Sequence, residues 1–120
     1  MAKQDRIVNS VDKPQPAKQG LARKYSKDKS KCMVTFWLPK EAARDASRVM
    51  VAGSFNDWSV DRHPMKRSKN GDFTLDLALH AGKEHEFRFV IDGTRWENAW
   101  NADKYVWCGH AQSENSVIIT

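Results

Sequence analysis

The chain has 120 residues, a formal net charge of +5 at pH 7 and a mean hydropathy of −0.72. That length holds one domain. No apolar run reaches the ~20 residues that span a bilayer, and the opening MAKQDRIVNSVDKPQPAKQG has no apolar signal-peptide core, so a soluble cytoplasmic protein is expected.

The charge is confined to one end. Residues 1–30 hold eight Lys/Arg against three Asp/Glu, whereas residues 31–120 hold twelve of each. The first segment also has few large apolar side chains and two prolines, Pro14 and Pro16, so it cannot bury enough surface to offset its ordering entropy. It is read as a basic, disordered tail. From Lys31 the pattern turns to period two. In CMVTFWL, Cys32, Val34, Phe36 and Leu38 fall on one face and Met33, Thr35 and Trp37 on the other. Pro39 stops that strand, and KEAARDAS is expected to make one short helical turn. RVMVAG is the second strand and runs into SFNDW, where Asn56-Asp57 supply turn chemistry. A weak strand around PMKRS leads to Asn70-Gly71, a two-residue hairpin signal. DFTLDLAL then alternates, with Phe73, Leu75, Leu77 and Leu79 inward. HEFRFVID aligns Phe87, Phe89 and Ile91 and ends at a second hairpin signal, Asp92-Gly93. An irregular loop follows, and ENSVIIT is the last strand.

Short strands parted by turn signals at roughly 8–12-residue spacing argue for an all-β antiparallel sandwich, and about 90 residues suits an immunoglobulin-like domain. The expected division is a tail over residues 1–30 and the sandwich over residues 31–120. Catalytic motifs are missing from the string: there is no Gly-rich phosphate loop, no GxSxG elbow and no HExxH helix. Glycoside hydrolysis needs two carboxylates facing each other across a cleft. Here the acidic residues fall in turns (Asp57, Asp92) or on outward strand positions (Asp76, Glu86), where solvated roles suffice. Cys108 and His110 offer two metal ligands with nothing to complete a tetrahedral set, and His63, His80, His85 and His110 are read as surface or loop residues. Cys32 and Cys108 are too few for a disulfide framework. No catalytic residue, metal or cofactor is expected, and the protein is not read as an enzyme.

What the sequence over-supplies is tryptophan. Trp37, Trp58, Trp96, Trp100 and Trp107 all lie in the folded part, with Tyr105 beside them, where one or two would anchor a small core. Large aromatics off the core stripe suggest a binding surface. Trp58, closing the SFNDW turn, either folds over the sandwich edge or stands as a wall for a flat ligand.

VAGSFNDW, EFRFVIDGTRW and ENSVII, in that order, resemble the early-set domain found beside isoamylases and glycogen-branching enzymes. The same module, carbohydrate-binding module family 48, is the glycogen-binding domain of AMP-activated protein kinase β subunits. The resemblance covers about residues 31–120. It implies an immunoglobulin-like sandwich that binds α-1,4-linked glucans such as glycogen, starch and maltooligosaccharides. By position in the family motifs it implies Trp58, Arg88, Trp96 and Asn115 as the sugar-binding residues, with Arg88 standing where family members often carry Lys. Trp100 and Trp107 are candidates to extend the platform or to cap the sandwich end.

The hairpin register tests this site. Two residues, Thr94 and Arg95, separate Asp92-Gly93 from Trp96, where kinase-type members have one. A tight two-residue turn pairs Phe89 with Trp96 and sends the indole inward. A three-residue loop with Gly93 left-handed is expected to pair Arg88 with Trp96 on the outer face. The bulged form is favoured because Arg88 points away from the Phe87–Phe89 stripe. The leading reading is a non-catalytic α-glucan-binding module. Its rival is an interaction domain that docks on a separate glycogen-metabolism enzyme without binding sugar, and a nucleic-acid binder using the basic tail stands third.

Overall fold

A computed structural model describes residues 21–120, and the first twenty residues of the tail expected over residues 1–30 lie outside the described residues. Among the described residues, nine strands follow in order: β1 (Leu21–Tyr25), β2 (Lys31–Leu38), β3 (Val49–Gly53), β4 (Lys66–Arg67), β5 (Phe73–His80), β6 (Glu84–Ile91), β7 (Arg95–Glu97), β8 (Lys104–Cys108) and β9 (Ser113–Ile119). One sheet runs β1-β2-β5-β4. The other runs β3-β6-β9-β8, with β7 paired to β6. All pairings are antiparallel. No helix among the described residues is long and apolar enough to cross a membrane.

The alternation read from the sequence builds the core. Val34, Phe36 and Leu38 of β2 face Val49 and Val51 of β3 and Phe87, Phe89 and Ile91 of β6, all fully or nearly fully buried. Phe36 meets Phe87 edge-to-face at 4.9 Å, and Phe87 meets Phe89 at 5.7 Å. Such contacts add about 0.5–1.5 kcal/mol each to the area they bury.

Four expectations are corrected. The sandwich includes residues before the expected Lys31 boundary, because Leu21–Tyr25 pairs along β2 from Leu21↔Phe36 to Tyr25↔Cys32 and buries Leu21. Arg23 then reaches Asp103, and the Tyr25 hydroxyl donates to Thr120 C=O, so both side chains anchor the edge of the sandwich. The stretch after Pro39 makes overlapping tight turns, with Ala42 N–H on Pro39 C=O, Ala43 on Lys40 and Ala46 on Ala43, and no α-helix. The segment read as irregular loop contains β7 and β8. His85, read as surface, is buried; its Nε2 lies 3.1 Å from His80 C=O.

Both hairpin loops hold three residues, one more than expected at Asn70-Gly71 and as expected at Asp92-Gly93. At Asn70-Gly71 the register resumes at Arg67↔Phe73, with Gly71 at φ 97°. At Asp92-Gly93 both residues have positive φ, Thr94 N–H donates to Ile91 C=O, and the ladder resumes at Ile91↔Arg95, leaving Thr94 as the extra residue. Asp92 is held by more than its turn. Its Oδ1 accepts the N–H groups of Ser47 (2.8 Å) and Arg48 (3.0 Å), which clamps the entry to β3.

Candidate functional site

The site grows from the turn after β3. Asn56 is buried and bonds on both sides of its amide: Oδ1 accepts Gly53 N–H (3.0 Å) and Ser59 N–H (3.2 Å), while Nδ2 donates to Val51 C=O (2.9 Å) and to His63 Nδ1 (2.8 Å). Burial and then the charge of Arg62 push the His63 pKa down, favouring the neutral ring, whose Nδ1 accepts that bond in the tautomer protonated at Nε2. Gly53 is required by space. A Cβ there would lie 2.5 Å from Glu86 C=O and 2.7 Å from the Phe55 ring. With Asn56 fixed, Asp57 and Trp58 both adopt left-handed φ, 56° and 59°, and Trp58 N–H closes back on Gly53 C=O at 2.9 Å. A left-handed tryptophan costs on the order of 1–3 kcal/mol. That strain turns the indole onto the outward face of the second sheet, half-buried against Met50, Ala52 and Val90.

The second element is a fork in the sheet. Along one edge of β6, Glu84–Phe87 pairs with β9 as far as Phe87↔Ser116, while Phe89–Ile91 pairs with β7. Arg88 sits at the split, where β7 and β9 diverge. Trp96 pairs with Val90, and this corrects the expected Arg88↔Trp96 register. Val90 shares Arg88's parity, so Trp96 still falls on the outer face, 39% exposed, with the Arg88 guanidinium 5.0 Å from its ring centroid.

Trp58, Arg88, Trp96 and Asn115 therefore line one cleft of about 290 Å³, together with Glu86, Cys108, His110 and Ala111. Asn115 is 3% exposed and donates from Nδ2 to Glu86 Oε1 at 2.9 Å. Its Oδ1 and the Nε of Arg88 are buried and find no partner among the described residues. A buried acceptor and a buried donor left open cost about 1–3 kcal/mol each. Two indole walls beside a donor and an acceptor suit a ligand with flat C–H faces and hydroxyl edges.

Trp100 and Trp107 are not brought into this cleft. Trp107 (67% exposed) alternates with Cys108 on β8 and so points away from the cleft, and Trp100 (54% exposed) lies in the loop between β7 and β8. Tyr105 ties that loop, its hydroxyl donating to Ala99 C=O at 2.6 Å. Trp37 is scaffold, its Nε1 donating to Asp72 Oδ2 at 3.1 Å. Sequence reasoning missed Glu86, Cys108, His110 and Ala111 as cleft residues. For Cys108 the signal was present: KYVWC alternates, but aromatic crowding hid it as loop. Cys32 lies in the core and Cys108 in the cleft lining, and both are free thiols.

Comparison with known proteins gives the chain a family. Residues 41–108, more than half of the chain, match the family described as the glycogen recognition site of AMP-activated protein kinase. Over 52 residues the chain is 46% identical to Protein PTST homolog 2, chloroplastic, of Arabidopsis thaliana, and over 53 residues 43% identical to Protein FLOURY ENDOSPERM 6, chloroplastic, of Oryza sativa. It is 36% identical over 76 residues to the 1,4-alpha-glucan branching enzyme GlgB of Thiobacillus denitrificans. These matches take in 43%, 44% and 62% of this chain but 9%, 10% and 9% of the relatives' own lengths. Among solved structures, the ferric enterobactin esterase of Salmonella typhimurium superposes with a TM-score of 0.67 at 14% identity, over 88% of this chain and 35% of that one. That likeness is one of fold alone.

Proposed function

From the premise that this chain belongs to the family of the glycogen recognition site of AMP-activated protein kinase, we propose that its cleft binds α-1,4-linked glucan. The observation that carries the reading is the convergence of Trp58 and Trp96 on one cleft that is also lined by Arg88 and a buried Asn115. Glucose rings stack their C–H faces on the indoles, and their hydroxyls meet the guanidinium and the amide. The binding is non-catalytic. What supports this is that the cleft's lining carries a single carboxylate, Glu86, already bonded to Asn115, whereas hydrolysis of a glycosidic bond uses two.

Two or three stacked rings at about 0.5–1.5 kcal/mol each and a few hydrogen bonds near 1 kcal/mol must offset the cost of association. The expected Kd is on the order of tens of micromolar to millimolar. Calorimetric titration with maltoheptaose at low and high salt tests the reading. A neutral sugar should bind alike in both, and a steep loss of affinity with salt would make a polyanion the ligand.

A second reading keeps one observation. Trp100 and Trp107 stay open away from the cleft, a surface that suits docking on a separate glycogen-metabolism enzyme. Trp107→Ser separates the two, since it should leave maltoheptaose binding intact while weakening any such complex.

A further inference from the structure

Asn115 is an unusual residue to bury in the open face of a sheet. An amide has two chemically opposite ends, a donor and an acceptor, that differ little in shape. In a cleft built to meet hydroxyls, the end that faces the ligand decides what is recognised. Nothing on β9 itself settles this. The neighbour across the ladder does. Glu86 lies on β6, and its Oε1 takes the Nδ2 of Asn115 at 2.9 Å. An ionised carboxylate only accepts hydrogen bonds, so it can hold the –NH₂ end of the amide and never the oxygen. The Oδ1 is thereby turned to the other side, where it is buried without a donor, beside the fork at which Arg88 leaves a buried Nε without an acceptor.

We propose that Glu86 is a positioning residue that locks the Asn115 amide with its oxygen toward the Arg88 side of the cleft, giving that cleft a fixed acceptor–donor polarity for a ligand hydroxyl that donates to Asn115 and accepts from Arg88. This rests on the glucan-binding reading of the same cleft and adds a specificity determinant to it. Both open atoms are buried in the sugar-free protein, so the long Arg88 side chain must shift for the hydroxyl to reach them. Glu86 never needs to touch the sugar. Its position on an outward, half-buried strand site makes its truncation tolerable to the fold.

Four variants test this: Glu86→Ala, Glu86→Gln, Asn115→Ala and the Glu86→Ala/Asn115→Ala double variant, each titrated with maltoheptaose and followed by the Asn115 side-chain amide signals in NMR without sugar. Glu86→Ala should weaken binding about threefold to tenfold, the worth of one oriented hydrogen bond. Glu86→Gln, whose amide both accepts and donates and so can hold either end of Asn115, should fall between Glu86→Ala and the native protein. In the Asn115→Ala background, Glu86→Ala should have no further effect, because the two residues act as one unit. The sugar-free amide signals should move in Glu86→Ala, and in Glu86→Gln they should move less but still depart from their native positions. An equal loss in the Asn115→Ala background would show Glu86 meeting the sugar directly and overturn the proposal. So would unmoved amide signals, or Glu86→Ala binding as tightly as the native chain. If the native chain itself fails to bind maltoheptaose, the functional reading falls, while the amide signals still decide whether Glu86 orients Asn115.

Discussion

The outward faces of the two sheets arise from the same alternation of residues, yet their polar groups end in different states. On the β1-β2-β5-β4 sheet, Thr35 Oγ1 donates to Asp76 Oδ1 at 2.6 Å and Trp37 Nε1 to Asp72 Oδ2 at 3.1 Å. These outward side chains are occupied by their own neighbours. On the β3-β6-β9-β8 sheet, the Nε of Arg88 and the Oδ1 of Asn115 are buried and unpaired, in a cleft that Trp58 and Trp96 also line. A tryptophan whose N–H is bonded to a nearby carboxylate works as scaffold. A pair of tryptophans lining the same cleft as an unmet donor and acceptor marks a surface prepared for something else, since a fold does not gain by leaving buried polar groups unpaired.

The largest expected break in this contrast comes from Gly53→Ala. A Cβ pressed to 2.5 Å from Glu86 C=O must part β3 from β6 or displace the Phe55 ring. A loss of about 1–3 kcal/mol or more should lower Tm by more than about 4 °C, and maltoheptaose binding should fall with it. A melt unchanged within experimental error would mean that the turn has room to spare.

Next come the tryptophans. Trp58→Ala and Trp96→Ala should each abolish detectable maltoheptaose binding, but they should differ in stability. Trp58 is packed on Met50, Ala52 and Val90, so its truncation should cost about 1–3 kcal/mol, whereas the more open Trp96 should cost under about 1 kcal/mol. Trp37→Phe on the other face gives the reverse pattern: about 1 kcal/mol lost with its bond to Asp72 and binding within twofold of the native value. Chemical denaturation and titration of the three proteins decide it, and a Trp37→Phe variant that loses sugar binding would erase the distinction between the faces.

The smallest effect lies in the acid limb. Asp28 is held down to about 2 by Ser30 N–H and the Ser30 and Ser26 hydroxyls, and Asp92 is lowered by the N–H groups of Arg48 and Ser47. Both folded-state values lie below that of an unfolded aspartate, so their stabilisation is present above about pH 4 and is lost as pH falls through the folded values, about 2 for Asp28. Asp28→Asn and Asp92→Asn should each flatten part of the decline in Tm between those pH values. A decline as steep as in the native chain would show that the loop clamps contribute nothing.

Much of the framework could be read from residues in a line. The period-two stripes of CMVTFWL, DFTLDLAL and HEFRFVID put the right side chains inward, because alternation is a local property of an extended backbone. Trp58, Arg88, Trp96 and Asn115 were legible as a set through the three motifs that carry the family resemblance. The early strand Leu21–Tyr25 was not, because LARKY has one core-facing apolar residue and owes its order to pairing with β2 and to Arg23 and Tyr25 reaching Asp103 and Thr120. Nor was β8, whose aromatic side chains resemble those of a binding loop.

The sequence by itself determined which residues face the core and where the chain turns, since both follow from neighbours one to four positions apart. Only the tertiary structure decided that Trp96 meets Val90, that Trp58 is turned outward beside a buried Asn56, and that Glu86 is a cleft residue. Each of these depends on a register, a clash or a hydrogen bond that takes shape once the strands and turns have come together. The sites of unmet hydrogen bonding at Arg88 and Asn115 are of the same kind: a polar atom is open or paired according to what packs around it, and that is a property of the assembled sheet.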